Sequence, residues 1–302
     1  MPAKSEEIEW PTLFLLLLAY VVWVTGTLMW QYSALAAILL AGVAIAQFSS
    51  LQHEALHAHP FRNETLNEAL VFPALTVFVP YRRFRDIHLQ HHFDPALTDP
   101  YDDPESNYWD PQVWSRLPAA IRLILQANNT LLGRILLGPL VGTWVFLANE
   151  FVLMRQGDRA VLTAWALNLV GLVPVLIWMR VAGMPVWGYL MAVYCGFALL
   201  KIRTYLEHRA HEACRARTVI IEDRGPLSIL FLNNNFHSVH HMHPKVAWYK
   251  LPGLYLERKE HYIKRNEGYV YANYAEVFRR YLTRPKDPVP HPVWPVRRDG
   301  QS

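Results

Sequence analysis

With two cysteines in 302 residues, the chain has too few for a disulfide framework, and it lacks any CxxC pair that would suggest a zinc or redox site. Cys195 lies in an apolar run and Cys214 near a histidine pair, and each reads as a buried free thiol. Charge is scarce as well. Asp, Glu, Lys and Arg make up 18% of the residues against 52% hydrophobic, a balance that shifts the chain toward the membrane class. The net charge of +4 comes without an aromatic-interleaved basic patch, so nucleic acid is not an expected partner. The polar start, MPAKSEEIEW, has neither the basic opening nor the cleavage site of a secretory signal. Mean hydropathy is only +0.07, so much of the chain sits outside lipid. What is abundant is aromatic rings, with 11 Trp and 15 Tyr suited to the headgroup level, and histidine, with 14.

The apolar residues come in uncharged runs. Residues 11–30 form one, long enough as a helix to cross about 30 Å of hydrocarbon. Residues 33–50 form a second after a two-residue link, and 161–179 and 186–204, the latter uncharged as far as Leu200, make another pair around a turn at 180–185. The expected fold is an all-α membrane protein of four transmembrane helices in two hairpins, a single domain over 1–302. A helical cap of residues 51–160 and 205–284 carries the polar chemistry, and the Pro-rich tail 285–302 reads as an extended arm. Within the cap, Leu131 to Leu153 is apolar apart from Arg134, Asn149 and Glu150, and fits a reentrant or surface-lying helix. Of 29 Lys and Arg residues only Arg180 falls in a loop on the far side. By the positive-inside rule both termini and the cap are cytoplasmic, and the expected location is multi-pass in a bacterial inner (cell) membrane.

Three histidine clusters fall on that side: His53-Glu54-Ala55-Leu56-His57, His88-Leu89-Gln90-His91-His92 and His237-Ser238-Val239-His240-His241. Residues three and four apart share a helical face, so each cluster aims two or three imidazoles in one direction, a geometry for ligating metal. HxxHH should arise by chance roughly 0.03 times in a chain of this composition, and it occurs twice. Eight imidazoles buried without ligation would leave many nitrogens unsatisfied. His261 and His291 stand alone and read as interfacial polar residues.

HEALH, HLQHH and HSVHH, placed after the two hairpins, resemble the three histidine boxes of the membrane fatty acid desaturase superfamily, which also includes alkane monooxygenases, carotenoid ketolases and hydroxylases, and fatty acid decarboxylases. The resemblance runs from the first span to about Tyr255. It implies that His53, His57, His88, His91, His92, His237, His240 and His241 are metal ligands. Tyr205-Leu206-Glu207-His208 resembles the Tyr-x-Glu-His segment of the alkane monooxygenases, which implies His208 as a ninth ligand with His211 as its competitor. Asn233, Asn234 and Asn235 match the family's asparagine-rich approach to the third box. Nine imidazoles exceed one centre and fit two Fe ions, with O2 as co-substrate. Imidazole alone suits Zn, Cu, Fe and Ni equally. Neutral ligands leave such a cluster positive, so carboxylates are expected on the far ring nitrogens, with Glu54, Asp86, Asp94, Asp99 and Glu207 as candidates beside Asn233 and Asn234.

HEALH also matches the HExxH zinc-protease signature with Glu54 as general base, but that site needs three protein ligands and leaves the other boxes unexplained. A metal transporter would carry ligands near the bilayer midplane, and these four runs contain no histidine. The resemblance implies a diiron oxidoreductase acting on a lipid-like acyl or alkyl chain. Desaturation is favoured by the NNNFHSVHH form of the third box, over hydroxylation, ketone formation or decarboxylation. No cytochrome b5-like segment is fused, so the expected electron source is a separate ferredoxin, rubredoxin or cytochrome with its reductase.

Overall fold

The computed structural model describes residues 8–295, apart from the side chain of Asp94. Its helices begin where the sequence supplies a cap and stop where it supplies a turn. α1 (Trp10–Leu28) has Pro11 in its first turn, where a missing N–H costs nothing. α2 (Ala34–Leu56) opens on Ser33, whose Oγ accepts from the Ala36 N–H. Shorter helices follow: α3 (Glu64–Leu70), α4 (Tyr81–His91), α5 (Pro111–Arg116), α6 (Ala119–Asn128) and α7 (Leu131–Leu136). α8 (Gly138–Arg155) leads to α9 (Arg159–Ala182), capped by the Asp158 carboxylate on two N–H groups, and to α10 (Val186–Thr204). Beyond them lie β1 (Ile220–Ile221), α11 (Pro226–Leu230), α12 (His237–Met242) and β2 (Val270–Tyr271), with β1 and β2 paired in parallel.

Among the described residues, four helices are long and apolar enough to cross a membrane: Trp10–Gln31, Ala34–Leu56, Arg159–Ala182 and Val186–Thr204. Large apolar side chains such as Phe14, Val21, Leu169 and Ile177 are more than half exposed on them, a surface that suits lipid and not water. The chain divides into two compact units. One runs up to Arg85 and includes Leu140–Leu199; the other is Asp86–Pro139 with everything from Leu200 on.

In the first unit the spans pack through small residues, as helices in lipid do. A Cβ on Gly42 would lie 2.9 Å from Cys195 Cβ, and one on Gly196 would lie 2.9 Å from the Gly42 carbonyl oxygen, so α2 and α10 touch backbone to backbone. Trp23 donates to Tyr189 Oη at 3.0 Å, and Tyr189 donates on to the Leu75 carbonyl at 2.9 Å. Glu150 is buried on α8. Arg83 and the Trp165 indole N–H neutralise it at 2.8–3.0 Å, so a carboxylate survives in an apolar run.

Several expected boundaries move. The uncharged run ends at Ser50, yet α2 continues to Leu56, because Gln52, His53 and Glu54 are buried and the helix need not stop for them. Arg180 lies inside α9, not in the turn. The turn is Gly183–Pro185, and Gly183 (φ +71°) faces Gln31 so closely that a Cβ would meet its Nε2 at 2.2 Å. The run from Leu131 to Leu153 splits into α7 and α8, and Arg134 is buried in the second unit, donating to the Asn128 carbonyl at 2.9 Å.

The expected arm is packed down. Asn129 donates to the Asp287 carbonyl at 2.6 Å, while Trp109 N–H donates to Val289 and His291 N–H returns to Trp109. His291 is accordingly interior, 3.1 Å from Thr98 Oγ1, and burial lowers its pKa to about 4; His261 is exposed. Residues 1–7 and 296–302, the ends of the chain, lie outside the described residues.

Candidate metal centre

In the second unit, α4 and α12 carry the HxxHH boxes, with His92 just past the end of α4. Each box divides its imidazoles by helical spacing. The i, i+4 pair His237 and His241 joins His91 and His208, with one ring nitrogen of each within 4.8 Å of the others. The complementary i, i+4 pair His88 and His92 joins His240, the odd member of the other box. Each helix therefore feeds two neighbouring groups, and the rings of His92 and His241 stack at 4.3 Å between them. On α2, in the first unit, His53 and the C-capping His57 are buried with ring centroids 4.9 Å apart.

His208 is not helical. α10 stops at Thr204, and the chain turns into an extended segment in which His208 bridges Thr218. Val219 N–H donates to the Glu207 carbonyl at 3.1 Å and Arg209 N–H to Arg217 at 2.9 Å. The Arg209 guanidinium lies over the Tyr269 ring at 4.5 Å. The Lys286 ammonium donates to the His208 carbonyl and reaches Tyr108 Oη at 3.2 Å and Asp287 Oδ2 at 3.0 Å. His211, three residues on, points elsewhere: its Nε2 faces Glu267 Oε2 at 3.4 Å and its side chain is 31% exposed.

The far ring nitrogens are held. His91 Nδ1–H donates to Asp103 Oδ1 at 2.7 Å, His88 Nδ1–H to Glu105 Oε1 at 3.0 Å and His237 Nδ1–H to Asn234 Oδ1 at 3.0 Å. Asn234 in turn donates to Glu207 Oε1 at 3.1 Å, and Arg203 pairs with the same oxygen at 3.0 Å. Those bonds leave each Nε2 aimed inward.

Asn233, at φ +52°, instead donates to the Trp248 carbonyl, and Asn235 to Ile221, tying the loop before α12 to β1. Glu54 lies 3.8 Å from His53 Nδ1. Asp99 caps the Tyr101 and Asp102 N–H groups, Asp86 continues α4, and the side chain of Asp94 lies outside the described residues. Sequence reasoning missed Asp103 and Glu105. Their only signal is an acid-rich stretch, Asp99 to Glu105, a dozen residues past the second box.

The nitrogens fit an ion. His91 Nε2 and His208 Nε2 are 2.8 Å apart, His208 Nε2 and His237 Nε2 3.0 Å. Two nitrogens bound at about 2.1 Å to one ion at right angles would lie about 3 Å apart. Facing lone pairs repel unless a proton or a metal lies between them.

Burial and the neighbouring imidazoles hold His208 and His237 well below the usual value, in the neutral form that ligates. Burial alone would lower His91 too, but Glu105, Asp103 and Glu207 reverse it and raise its pKa to about 9. Burial would raise Glu105, yet His91 and His88 lower it. Carboxylates around neutral rings make this spot favour a cation, and a metal can supply that charge.

None of the curated proteins matches this chain. The fatty acid desaturase profile matches residues 28–273, a range that takes in α2, all three histidine boxes and His208. The chain belongs to the fatty acid desaturase family.

Proposed function

We propose that the protein oxidises an unactivated C–H bond of a lipid-like acyl or alkyl chain with O2 at a centre of two iron ions, and that its reaction is desaturation of a fatty acyl substrate. The supporting observation is the four-imidazole group of His91, His208, His237 and His241 in a desaturase-family chain. It lies wholly outside the HExxH segment that a zinc protease would use. In this proposal those four residues hold one iron and His88, His92 and His240 contribute to the other, while His53 and His57 of the first box are ligands as the family resemblance implies.

Bound there, two irons supply the oxidising power to break a C–H bond. The balance is –CH2–CH2– plus O2, two electrons and two protons, giving –CH=CH– and two waters. The electrons come from a separate ferredoxin, rubredoxin or cytochrome-type donor with its reductase. The chain's own contribution is to keep His208 and His237 neutral, through burial, and to orient His91, His88 and His237, through Asp103, Glu105 and Asn234. Positioning of the substrate carbon decides whether a second hydrogen leaves or a hydroxyl returns.

Expression in a host fed deuterium-labelled fatty acids, followed by mass spectrometry of the lipids, tests the reaction. A product with a new double bond is expected, four mass units lighter where two deuterons are lost and two lighter where two hydrogens are lost. A hydroxylated, ketone or chain-shortened alkene product would replace desaturation with the corresponding reaction of the same superfamily.

The same proposal places both termini and the imidazole groups on the cytoplasmic side of a bacterial inner membrane. Tyr32, 85% exposed between α1 and α2, then faces the periplasm. A Tyr32→Cys variant lacking Cys195 and Cys214 should be labelled in intact cells by a membrane-impermeant maleimide. Labelling only after the cytoplasmic side is opened would reverse the orientation.

A further inference from the structure

The seam between α1 and α2 in the first unit is not closed along its length. Leu15, Leu18, Ala19 and Val22 of α1 and Val43, Ala44 and Gln47 of α2 line a hollow of about 190 Å³. The α1 residues recur at three- and four-residue spacing, so they form one helical face. Ala19 and Ala44 are buried and carry only a methyl group each, which leaves the space open, while Leu18 and Val43 are each 42% exposed at its rim. Six of the seven lining residues are apolar. The seventh is out of place: the Gln47 side-chain nitrogen is buried and has no hydrogen-bond partner among the described residues.

An amide donor left unsatisfied in such a setting is costly, because lipid offers no water to accept from it. Depth narrows what the acceptor can be. Gln47 precedes Ser50, the last residue of the uncharged run on α2, by three residues, or about 4.5 Å of helix rise. Leu15 lies five residues beyond Trp10 on α1, about 7.5 Å of rise. Trp10 is 67% exposed and suited to the headgroup level. The hollow therefore opens just inside the apolar boundary, where the ester carbonyls of a glycerolipid meet the hydrocarbon core. Pockets that enclose a whole drug-sized molecule are about 300–1,000 Å³, so this one suits a length of chain and not an entire ligand.

We infer that the α1–α2 groove is a binding site for one acyl chain of a membrane glycerolipid, with the Gln47 amide donating a hydrogen bond to that chain's ester carbonyl. The apolar rim takes the methylenes and Gln47 selects an acyl ester over a plain hydrocarbon. The site depends only on α1 and α2 spanning a bilayer and is independent of the reaction proposed above.

Photocrosslinking tests it with the full chain in liposomes. The probes are a diester phosphatidylglycerol bearing a diazirine in its acyl chain, the dialkyl-ether lipid of the same length, and the free diazirine fatty acid. The labelled peptides are mapped by mass spectrometry. The diester is expected to label the segments Leu15–Val22 and Val43–Gln47 about three- to tenfold more than the ether, the worth of one neutral hydrogen bond. Gln47→Leu should bring the diester down to the level of the ether. Equal labelling by diester and ether in the unaltered protein would overturn the site. So would diester labelling unchanged by Gln47→Leu, or stronger labelling by the free acid than by the diester. The comparison of probes needs no variant, so it stands even if Gln47→Leu folds poorly.

Discussion

A His208→Ala variant is expected to lose iron and all measurable turnover, whereas His211→Ala keeps both. The two residues are three apart and equally plausible as ligands when the segment is drawn as a helix. In the fold, however, His208 is extended, with its Nε2 2.8 Å from that of His91 and 3.0 Å from that of His237. His211 sits against Glu267, and its Nδ1 accepts the Ala213 N–H at 3.1 Å. Removing one of four converging imidazoles should drop the metal from about two irons per chain to one or none, since binding needs the full preformed set. Elemental analysis and turnover in one detergent measure both effects, with helicity checked by circular dichroism. Iron lost from the His211 variant and kept in the His208 variant would invert the assignment.

That contrast also marks where the sequence stops being readable. Hairpins show in it because a span is a one-dimensional property: long, largely uncharged apolar runs fix α1, α2, α9 and α10 to within several positions. Boxes show because helical spacing is local. What HxxHH does not reveal is that its i, i+4 pair and its i+3 member serve different groups, since that depends on a second helix, α12 against α4. His208 was visible as a candidate only through Tyr-x-Glu-His, and its extended backbone arises from pairing with residues 217–219, which no local signal announces. The Pro-rich tail looks like a free arm because composition reports stiffness, not contacts. Its Lys286 and Asp287 in fact meet Tyr108 and the His208 carbonyl.

The carboxylates behind the ligands were the hardest to find, and they yield the second large expected effect. Five acids near the boxes were candidates on charge alone; Asp103 and Glu105, which were not among them, accept from His91 Nδ1 and His88 Nδ1. Asp103 is placed by its turn: Oδ2 accepts the Thr98 N–H at 2.8 Å and Oδ1 the Glu105 N–H at 2.9 Å, with Thr98 at φ +70° to bring the loop around. The side chain is 2% exposed, so its charge acts on His91 with little screening by water. Glu105 holds His88 at a similar distance, but its side chain is 28% exposed.

Asp103→Asn keeps the size and an acceptor oxygen while removing the charge, so it should lower iron affinity or turnover about 10–100-fold. Glu105→Gln should do the same to a smaller degree. Iron retention against a graded chelator gives the affinities, and the change in the iron's optical or Mössbauer spectrum shows whether the loss is at the centre or a general loosening of the fold. Rescue by Asp103→Glu is not expected, because the longer side chain cannot keep both backbone N–H bonds and reach His91. If Asp103→Asn held iron as tightly as the unaltered protein, or lost less than Glu105→Gln, the Asp103–His91 pair would have no part in setting the site's affinity.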